Sequence, residues 1–435
     1  MVAAHARSPL QASTLAAFVR PGPRYTSYPP ATLFQGDFGD TAARAELARL
    51  RAEQRDASVS LYCHIPFCSR LCWYCGCNVV VTRRRERAGS YVELLAREIE
   101  LVTELCGRGR PLAEIALGGG SPNFLRPHDL MVLMRAINKT FSPGDHAVFG
   151  VELDPRDTSH EVVVTLGELG FRRLSVGVQD FSEEVQRRIN RHQSREQTQQ
   201  LVDDARQHGF DAVNMDLIYG LPGQTPDTFD ATLQSVIAMA PEQVALFGYA
   251  HLPDRLPHQK LVERDGAVPG LDERAALLDV ALEAFGSHGY RRIGLDHFAR
   301  ADAPLARAAD EGRLKRNFQG YVIDSADVLL ACGTTGISDS GGAYWQNHKL
   351  AEWEAAIGAG ELPVARGARL TEDDRVRRHV IMRLMCDAAL DFGAVDARFG
   401  IRCEDYFAPE LTRLETGEER ALARVDHAAR RIIAT

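Results

Sequence analysis

Ser58-Val59-Ser60-Leu61-Tyr62-Cys63-His64-Ile65-Pro66-Phe67-Cys68-Ser69-Arg70-Leu71-Cys72-Trp73-Tyr74-Cys75-Gly76-Cys77 runs a short apolar strand straight into a crowd of thiols. The run 58–64 has the length and residue types of a buried strand. From there the chain alternates further short apolar runs, at 114–117, 148–153, 174–178, 213–219, 244–250 and 292–295, with segments of 3.6-residue periodicity at 90–105, 127–140, 161–169, 195–207, 225–239 and 272–288. Strands separated by helices read as βα units on a parallel sheet. Seven such strands predict an α/β fold, a full or partial (β/α) barrel. After Asp296 the rhythm breaks into an irregular stretch with glycine clusters, and from Leu370 the pattern becomes helical, strongest at 373–387. The expected division is a leader over 1–57, a barrel with its irregular extension over 58–360, and a helical C-terminal domain over 361–435.

Composition narrows the function. The 435 residues are 45% hydrophobic and 25% charged, and 51 basic against 59 acidic residues give a net charge of −8. A net acidic chain of this kind argues against bulk nucleic-acid binding. No apolar stretch approaches the roughly 18 residues of a membrane span. The first 36 residues hold three Arg and no acid, and they read as a structured leader, with a short helix at 13–19, in a cytoplasmic protein. Of nine cysteines, five lie between Cys63 and Cys77; crowding of this kind suggests a metal rather than a disulfide framework.

Structural zinc pairs C-x2-C with a second Cys/His pair a dozen or more residues away, and no such pair follows here. Three thiolates in one compact loop, Cys68, Cys72 and Cys75, suit three irons of a 4Fe–4S cluster and leave the fourth open. Cys77 is either a fourth ligand or a catalytic thiol beside the cluster; with only Gly76 between it and Cys75, its sulfur points elsewhere. Cys63, Cys106, Cys332, Cys386 and Cys403 read as buried apolar filler.

Four strands carry one polar or small face by period-2 alternation: Glu152 with Asp154, Ser175 with Gly177 and Gln179, Asn214 with Asp216, and Gly248 with Ala250. Each set sits near the C-terminal end of its strand, where barrel enzymes build their sites. The alternative for each is a hydrogen-bonded polar layer inside the barrel. Gly118-Gly119-Gly120-Ser121-Pro122 lets a ligand approach the backbone but lacks the Gly-Lys-Ser/Thr of a P-loop.

These residues resemble radical S-adenosylmethionine (radical SAM) enzymes, whose signature is C-x3-C-x2-C after the first barrel strand. The resemblance narrows to the oxygen-independent coproporphyrinogen III oxidases through Pro23-Arg24-Tyr25-Thr26-Ser27-Tyr28-Pro29, His64-Ile65-Pro66-Phe67-Cys68, Gly177-Val178-Gln179-Asp180-Phe181, Asp216-Leu217-Ile218-Tyr219-Gly220-Leu221-Pro222, Tyr249-Ala250-His251-Leu252-Pro253, Asp296-His297-Phe298-Ala299-Arg300 and Arg316-Asn317-Phe318-Gln319-Gly320-Tyr321. It implies a cluster held by Cys68, Cys72 and Cys75, and two SAM molecules. Tyr62, Gly119, Glu152 and Ile337 match positions around the first; Tyr74, Gly120, Ser121, Gln179, Arg191, Asp216 and Ala250 match positions around the second.

The implied reaction turns two propionates of coproporphyrinogen III into vinyl groups, giving protoporphyrinogen IX in heme biosynthesis. A tetrapyrrole substrate, a reductant such as flavodoxin or ferredoxin, and a monomeric chain are part of the same expectation. Arg24, Arg300 and Arg316 are candidate partners of the substrate carboxylates. Two departures stand out: Ser121 replaces the family's Thr, and the charged C-terminal stretch reads as a helix near 418–433, a shortened ending without the family's hairpin. Competing readings are a radical SAM enzyme that transfers a methyl or methylene group, and a heme-binding chaperone; the chaperone-like relatives lack the Arg-Tyr-Thr-Ser-Tyr leader.

Overall fold

The computed structural model describes residues 25–323 and 326–434; the expected leader helix at 13–19 and Arg24 lie outside the described residues. Seven strands lie side by side: β1 (Val59–Ile65), β2 (Arg110–Gly119), β3 (Phe141–Leu153), β4 (Arg173–Gln179), β5 (Ala212–Tyr219), β6 (Gln243–Gly248) and β7 (Val328–Cys332). Their order is β7-β1-β2-β3-β4-β5-β6, and every neighbouring pair is parallel. β1 sits inside the sheet with all but Tyr62 buried, as its near-continuous apolar run requires of a strand covered on both faces.

The crossovers are α1 (Glu86–Cys106), α2 (Pro127–Thr140), α3 (His160–Glu168), α4 (Arg195–Gln207), α5 (Pro226–Ala238) and α6 (Leu271–Ser287). Their starts are written in the sequence. Ser194 Oγ accepts from Gln197 N at 3.1 Å while Gln197 Oε1 accepts from Ser194 N at 3.0 Å, a reciprocal cap for α4. α2 and α5 each open on a proline, whose missing N–H costs nothing in the first turn. One core joins Leu61 and Ile65 of β1, Leu117 of β2 and Val151 of β3 to Leu95 and Ile99 of α1 and Leu133 of α2. This is an α/β partial barrel, as the strand–helix rhythm predicts.

Two expectations are corrected. The run 292–295 is not a parallel strand: Tyr290–Ile293 ends at Gly294 (φ +58°), and the chain turns back as His297–Arg300, antiparallel to both Tyr290–Ile293 and β6. The seventh parallel strand is β7, inside the stretch read as irregular; it pairs with β1 from Val59↔Val328 to Cys63↔Cys332. Beyond it Ile337–Asp339, Ala343–Asn347 and Val364–Arg369 extend the sheet as an antiparallel meander.

The C-terminal residues are also not the helix expected near 418–433. Ala423–Asp426 and Arg431–Ala434 form a hairpin, and Ala389–Asp391 adds a third strand. Its turn is closed by Asp426 Oδ1 accepting from Ala429 N at 3.0 Å, with Arg430 at φ 49°. Four-residue strands whose alternation is carried by Ala, Val and Ile between Arg and Asp give a weak period-2 signal. The hairpin packs with Glu372–Asp387, Phe392–Phe399 and Ala408–Thr416 around Val376, Phe392, Val395, Leu411 and Ile432. The helix Glu372–Asp387 is tied to a separate hairpin, Leu314–Asn317 with Gly320–Ile323, through Arg383 Nη2, which donates to Leu314 O at 2.6 Å, and Tyr321 Oη, which donates to Met385 O at 2.7 Å.

The loop after β7 is fastened from below by one buried acid. Glu98 of α1 accepts from Gly333 N (2.6 Å), Trp353 Nε1 (2.9 Å) and Asn347 Nδ2 (2.6 Å). Burial lifts its carboxyl to about 8 against those three donors. Its ordinary value is 4.5, so between the two the folded chain binds a proton that the unfolded chain has lost. Stability from this group is therefore fully present at acid pH and falls as pH rises toward 8, by at most about 1.4 kcal/mol per pH unit. Urea unfolding at a series of pH values should show a shallower decline for Glu98→Gln than for the unaltered chain; equal slopes would contradict the assignment.

Candidate active site

The cysteine loop leaves β1 at Pro66 and is gripped on three sides. A two-residue strand, Phe67–Cys68, pairs with Val80–Val81 and closes the loop on itself. On one flank Trp73 N donates to Ile189 O (2.9 Å) and Asn190 Nδ2 to Leu71 O (2.8 Å). On the other, Gln259 Nε2 donates to Tyr74 O (2.9 Å), and His258 Nε2, facing a carbonyl and so protonated, donates to Cys75 O (2.8 Å). Trp73 and Tyr74 pack into an apolar patch of Ile189, Leu221, Tyr249 and Val262. Ser69 Oγ donates to the Asp157 carboxylate. The loop is thus preset by residues from four separate connections.

All nine cysteines are free, and Cys63, Cys106, Cys332, Cys386 and Cys403 are buried. Burial, reinforced by the nearby Cys75 and Cys72, pushes the Cys68 thiol up to about 12. Cys75 is instead held down to about 6, chiefly by the hydrogen bond it accepts from Cys77, whose own thiol is pushed well up. Three cysteines gathered in one loop, with Cys72 and Cys75 close enough to oppose ionisation of Cys68, form a donor set suited to cationic iron. Cys77 is exposed in the cleft and bonds to Cys75.

The polar strand faces meet as one row. Register places Glu152 beside Ser175 and Ser175 beside Asn214. Asp216 accepts from Ser175 Oγ at 3.0 Å and from Asn214 Nδ2 at 2.8 Å. Glu152 Oε2 accepts from Gly119 N at 3.2 Å. Its carboxyl is lifted to about 7, first by burial and then by Asp216, while Asp216 is raised by burial. Glu152 is ringed by protein yet its side chain is open to solvent, which is the geometry of a cleft wall. Two acids side by side on that wall suit an ammonium or sugar hydroxyls.

The glycine turn is shaped by its surroundings. At Gly119, with φ +108°, a Cβ would lie 2.4 Å from the His64 ring; at Gly120 it would lie 2.7 Å from the Pro66 backbone. Only glycine lets β2 end over β1 this closely. Asn123 Oδ1 accepts from Asp154 N (3.1 Å) and from Ser121 Oγ (3.2 Å), locking the turn to the end of β3. His64 is fixed as well: its Nε2 donates to Asn78 O (3.0 Å), so Nδ1 accepts from Tyr62 Oη (3.1 Å). Burial lowers the basicity of His64 and keeps it neutral.

A charged knot lies beside Cys72. Arg156 and Arg191 both donate to Asp154 Oδ2, at 2.6 and 3.1 Å, and both approach Cys72 Sγ, at 3.3 and 3.5 Å. Against burial, Arg191 and Arg156 hold the Asp154 carboxyl down to about 2. Gly177 makes room for Arg191: a Cβ there would lie 2.9 Å from Nη2, which donates to the Gly177 carbonyl at 2.5 Å. A bulge between Gly177 and Gln179, with Gln179 at φ 67°, brings the Gln179 amide to the same spot.

The structure groups the sequence candidates along the sheet. Tyr62, Gly119, Glu152 and Ile337 span β1 to β3 and the meander beyond β7; Gly120, Ser121, Gln179, Asp216 and Ala250 span the β2 turn to the end of β6, with Tyr74 and Arg191 beside Cys72. Arg316 is buried against Asp296 (3.3 Å), which also holds His297 Nδ1 at 2.8 Å. Arg300 pairs on the surface with Asp302 at 2.9 Å and is not brought to the cleft. Sequence reading missed Asn123, Arg156, His258 and Gln259 because single polar residues in connections have no periodicity. It also assigned no role to Gln319, whose Nε2 is buried without a partner among the described residues.

Comparison with known proteins agrees with this architecture. The family model "Radical SAM superfamily" matches residues 62–236, and "HemN C-terminal domain" matches 370–427. Oxygen-independent coproporphyrinogen III oxidase of Pseudomonas aeruginosa is 40% identical over 93% of this chain and 88% of its own length. The Escherichia coli protein of that name is 40% identical over the same shares. The solved structure of coproporphyrinogen III oxidase (HemN) from Escherichia coli, described as a radical SAM enzyme, superposes with a TM-score of 0.89 at 38% identity, covering 97% of this chain and 94% of that one. The chain therefore belongs to the oxygen-independent coproporphyrinogen III oxidase family of radical SAM enzymes.

Proposed function

We propose that this chain oxidatively decarboxylates two propionates of coproporphyrinogen III to vinyl groups, giving protoporphyrinogen IX without oxygen. The observation that carries the reading is that Cys68, Cys72 and Cys75 lie in the loop leaving the C-terminal end of β1, on a parallel sheet whose strands carry Glu152 and Asp216 in their C-terminal halves. The three thiolates would hold a 4Fe–4S cluster. When bound, cluster and SAM would supply the radical chemistry that removes a β-hydrogen from a propionate; CO2 would then leave and the remaining electron pass to an external one-electron acceptor, giving the vinyl group.

The residues of the chain position and shield. Glu152 offers its carboxylate to the first SAM's ammonium or ribose, and Gly119, having no side chain, lets that ligand approach its backbone closely. Tyr62, whose O–H donates to His64 Nδ1, has only its oxygen left to offer a ligand, as an acceptor. Asp216, Gln179, Ser121 and Gly120, with the walls Tyr74, Arg191 and Ala250, form the second SAM's place. Cys77 is the thiol poised beside the ligand set. The electron comes from a small carrier such as flavodoxin or ferredoxin, and the chain acts as a cytoplasmic monomer; no helix among the described residues is long and apolar enough to cross a membrane.

Equilibrium dialysis of labelled SAM against cluster-loaded protein tests the two-SAM arrangement. Two SAM per chain are expected, falling to one in Asp216→Asn; a single SAM in the unaltered chain would remove the second site.

A further inference from the structure

The segment Asp154-Pro155-Arg156-Asp157 leaves β3 and meets the cysteine loop twice, through Arg156 at Cys72 and Asp157 at Ser69. The guanidinium of Arg156 presents two edges. Its Nε/Nη2 edge is filled by Asp154, with Nε at 3.0 and 3.1 Å from the two oxygens and Nη2 at 2.6 Å from Oδ2. Its Nη1/Nη2 edge is turned to the thiol: Nη2 lies 3.3 Å from Cys72 Sγ. Nη1, next to it on that edge, is buried and has no partner among the described residues. A planar guanidinium fixes the two outer N–H directions of one edge nearly parallel. An acceptor for Nη1 is therefore called for next to the Cys72 sulfur, and a buried guanidinium N–H left without one would be costly.

Arg191 differs. Its Nε donates to Gln193, its Nη1 to Asp154 and Cys72, and its Nη2 to Gly177, so each nitrogen already has a partner. Two guanidiniums against the single Asp154 carboxylate leave net positive charge beside Cys72.

We propose that Arg156 tunes the iron–sulfur cluster, donating through Nη2 to the Cys72 thiolate and through Nη1 to a cluster sulfide, and so raising the cluster's reduction potential. The proposal rests on the radical SAM reading of Cys68, Cys72 and Cys75. Reduction adds negative charge to a centre already made anionic by its thiolates, and N–H donors to sulfur together with nearby positive charge favour the reduced form. Arg156 is a positioning residue: it acts through Cys72 and the cluster, and touches neither substrate nor reacting atoms.

The test is an anaerobic redox titration followed by electron paramagnetic resonance on reconstituted Arg156→Gln and Arg156→Lys. Both variants should keep the iron content of the unaltered chain. Arg156→Gln should titrate at a clearly more negative potential. Arg156→Lys, which keeps the charge but cannot span carboxylate and sulfurs with one planar fork, should shift the same way by less. If Arg156→Gln fails to take up iron, Arg156→Lys alone decides. Titration of every loaded variant at the potential of the unaltered chain, with an unchanged spectrum, overturns the proposal. Failure of the unaltered chain to take up a cluster would instead overturn the radical SAM reading beneath it.

Discussion

Cys72→Ala should leave a colourless protein: after anaerobic reconstitution its iron content and visible absorbance fall to background. Of the three proposed ligands Cys72 is the most buried, at 7% exposure, and the only one whose sulfur is approached by two guanidiniums. Removing it leaves Cys68 and Cys75 on either side of the gap, and two thiolates cannot hold the three irons that the spacing addresses. The fold should survive, because the loop is tied by Trp73, Tyr74, Ser69 and Cys75 through backbone groups and neighbours that Cys72 does not share. Cys63→Ala is the control: that thiol lies fully buried in β1, and its loss should cost packing stability but no iron. Iron retained in Cys72→Ala, measured colorimetrically, would overturn the ligand set.

Cys77→Ser should separate chemistry from cluster binding. Iron content stays at the level of the unaltered chain while turnover falls at least ~100-fold, the usual scale for removing a positioned acid or base. Cys77 stands one residue from Cys75, with its thiol donating to the Cys75 sulfur and Glu152 and Cys68 close enough to oppose its ionisation. A serine can repeat the hydrogen bond but not the thiol's softer, more readily oxidised chemistry. Loss of iron in this variant would make Cys77 a ligand; full turnover would show that the cleft does not use it.

Much of this site could be read from the chain alone, for identifiable reasons. Glu152, Ser175, Asn214 and Asp216 alternate with buried apolar neighbours such as Val151, Leu174, Val213 and Met215, and such residues stand out by their period of two. The cysteine spacing stands out because thiols are rare. Helices α2 and α4 begin and end where the periodicity predicts, because proline or a serine–glutamine cap marks their starts. The misses share a cause too. β7 is a five-residue strand, buried throughout, set among glycines, and nothing local says that it returns beside β1. Tyr290–Ile293 has strand composition, but the reversal at Gly294, with its positive φ, places His297–Arg300 between it and β6. Arg156, Gln259 and Asn123 matter only because tertiary folding carries them to a loop far away in sequence. Even Arg191, placed among the SAM contacts by resemblance, shows its partners Asp154 and Cys72 only in three dimensions.

The central claim, that this chain makes protoporphyrinogen IX through SAM-derived radicals, is tested most directly by one anaerobic incubation. Cluster-loaded protein is mixed with SAM, a low-potential reductant and coproporphyrinogen III, and the products are separated by chromatography. The account predicts protoporphyrinogen IX together with 5′-deoxyadenosine, with one CO2 released for each propionate lost. Heme binding without any cleavage of SAM, or deoxyadenosine formed with the porphyrinogen left intact or methylated, would contradict it.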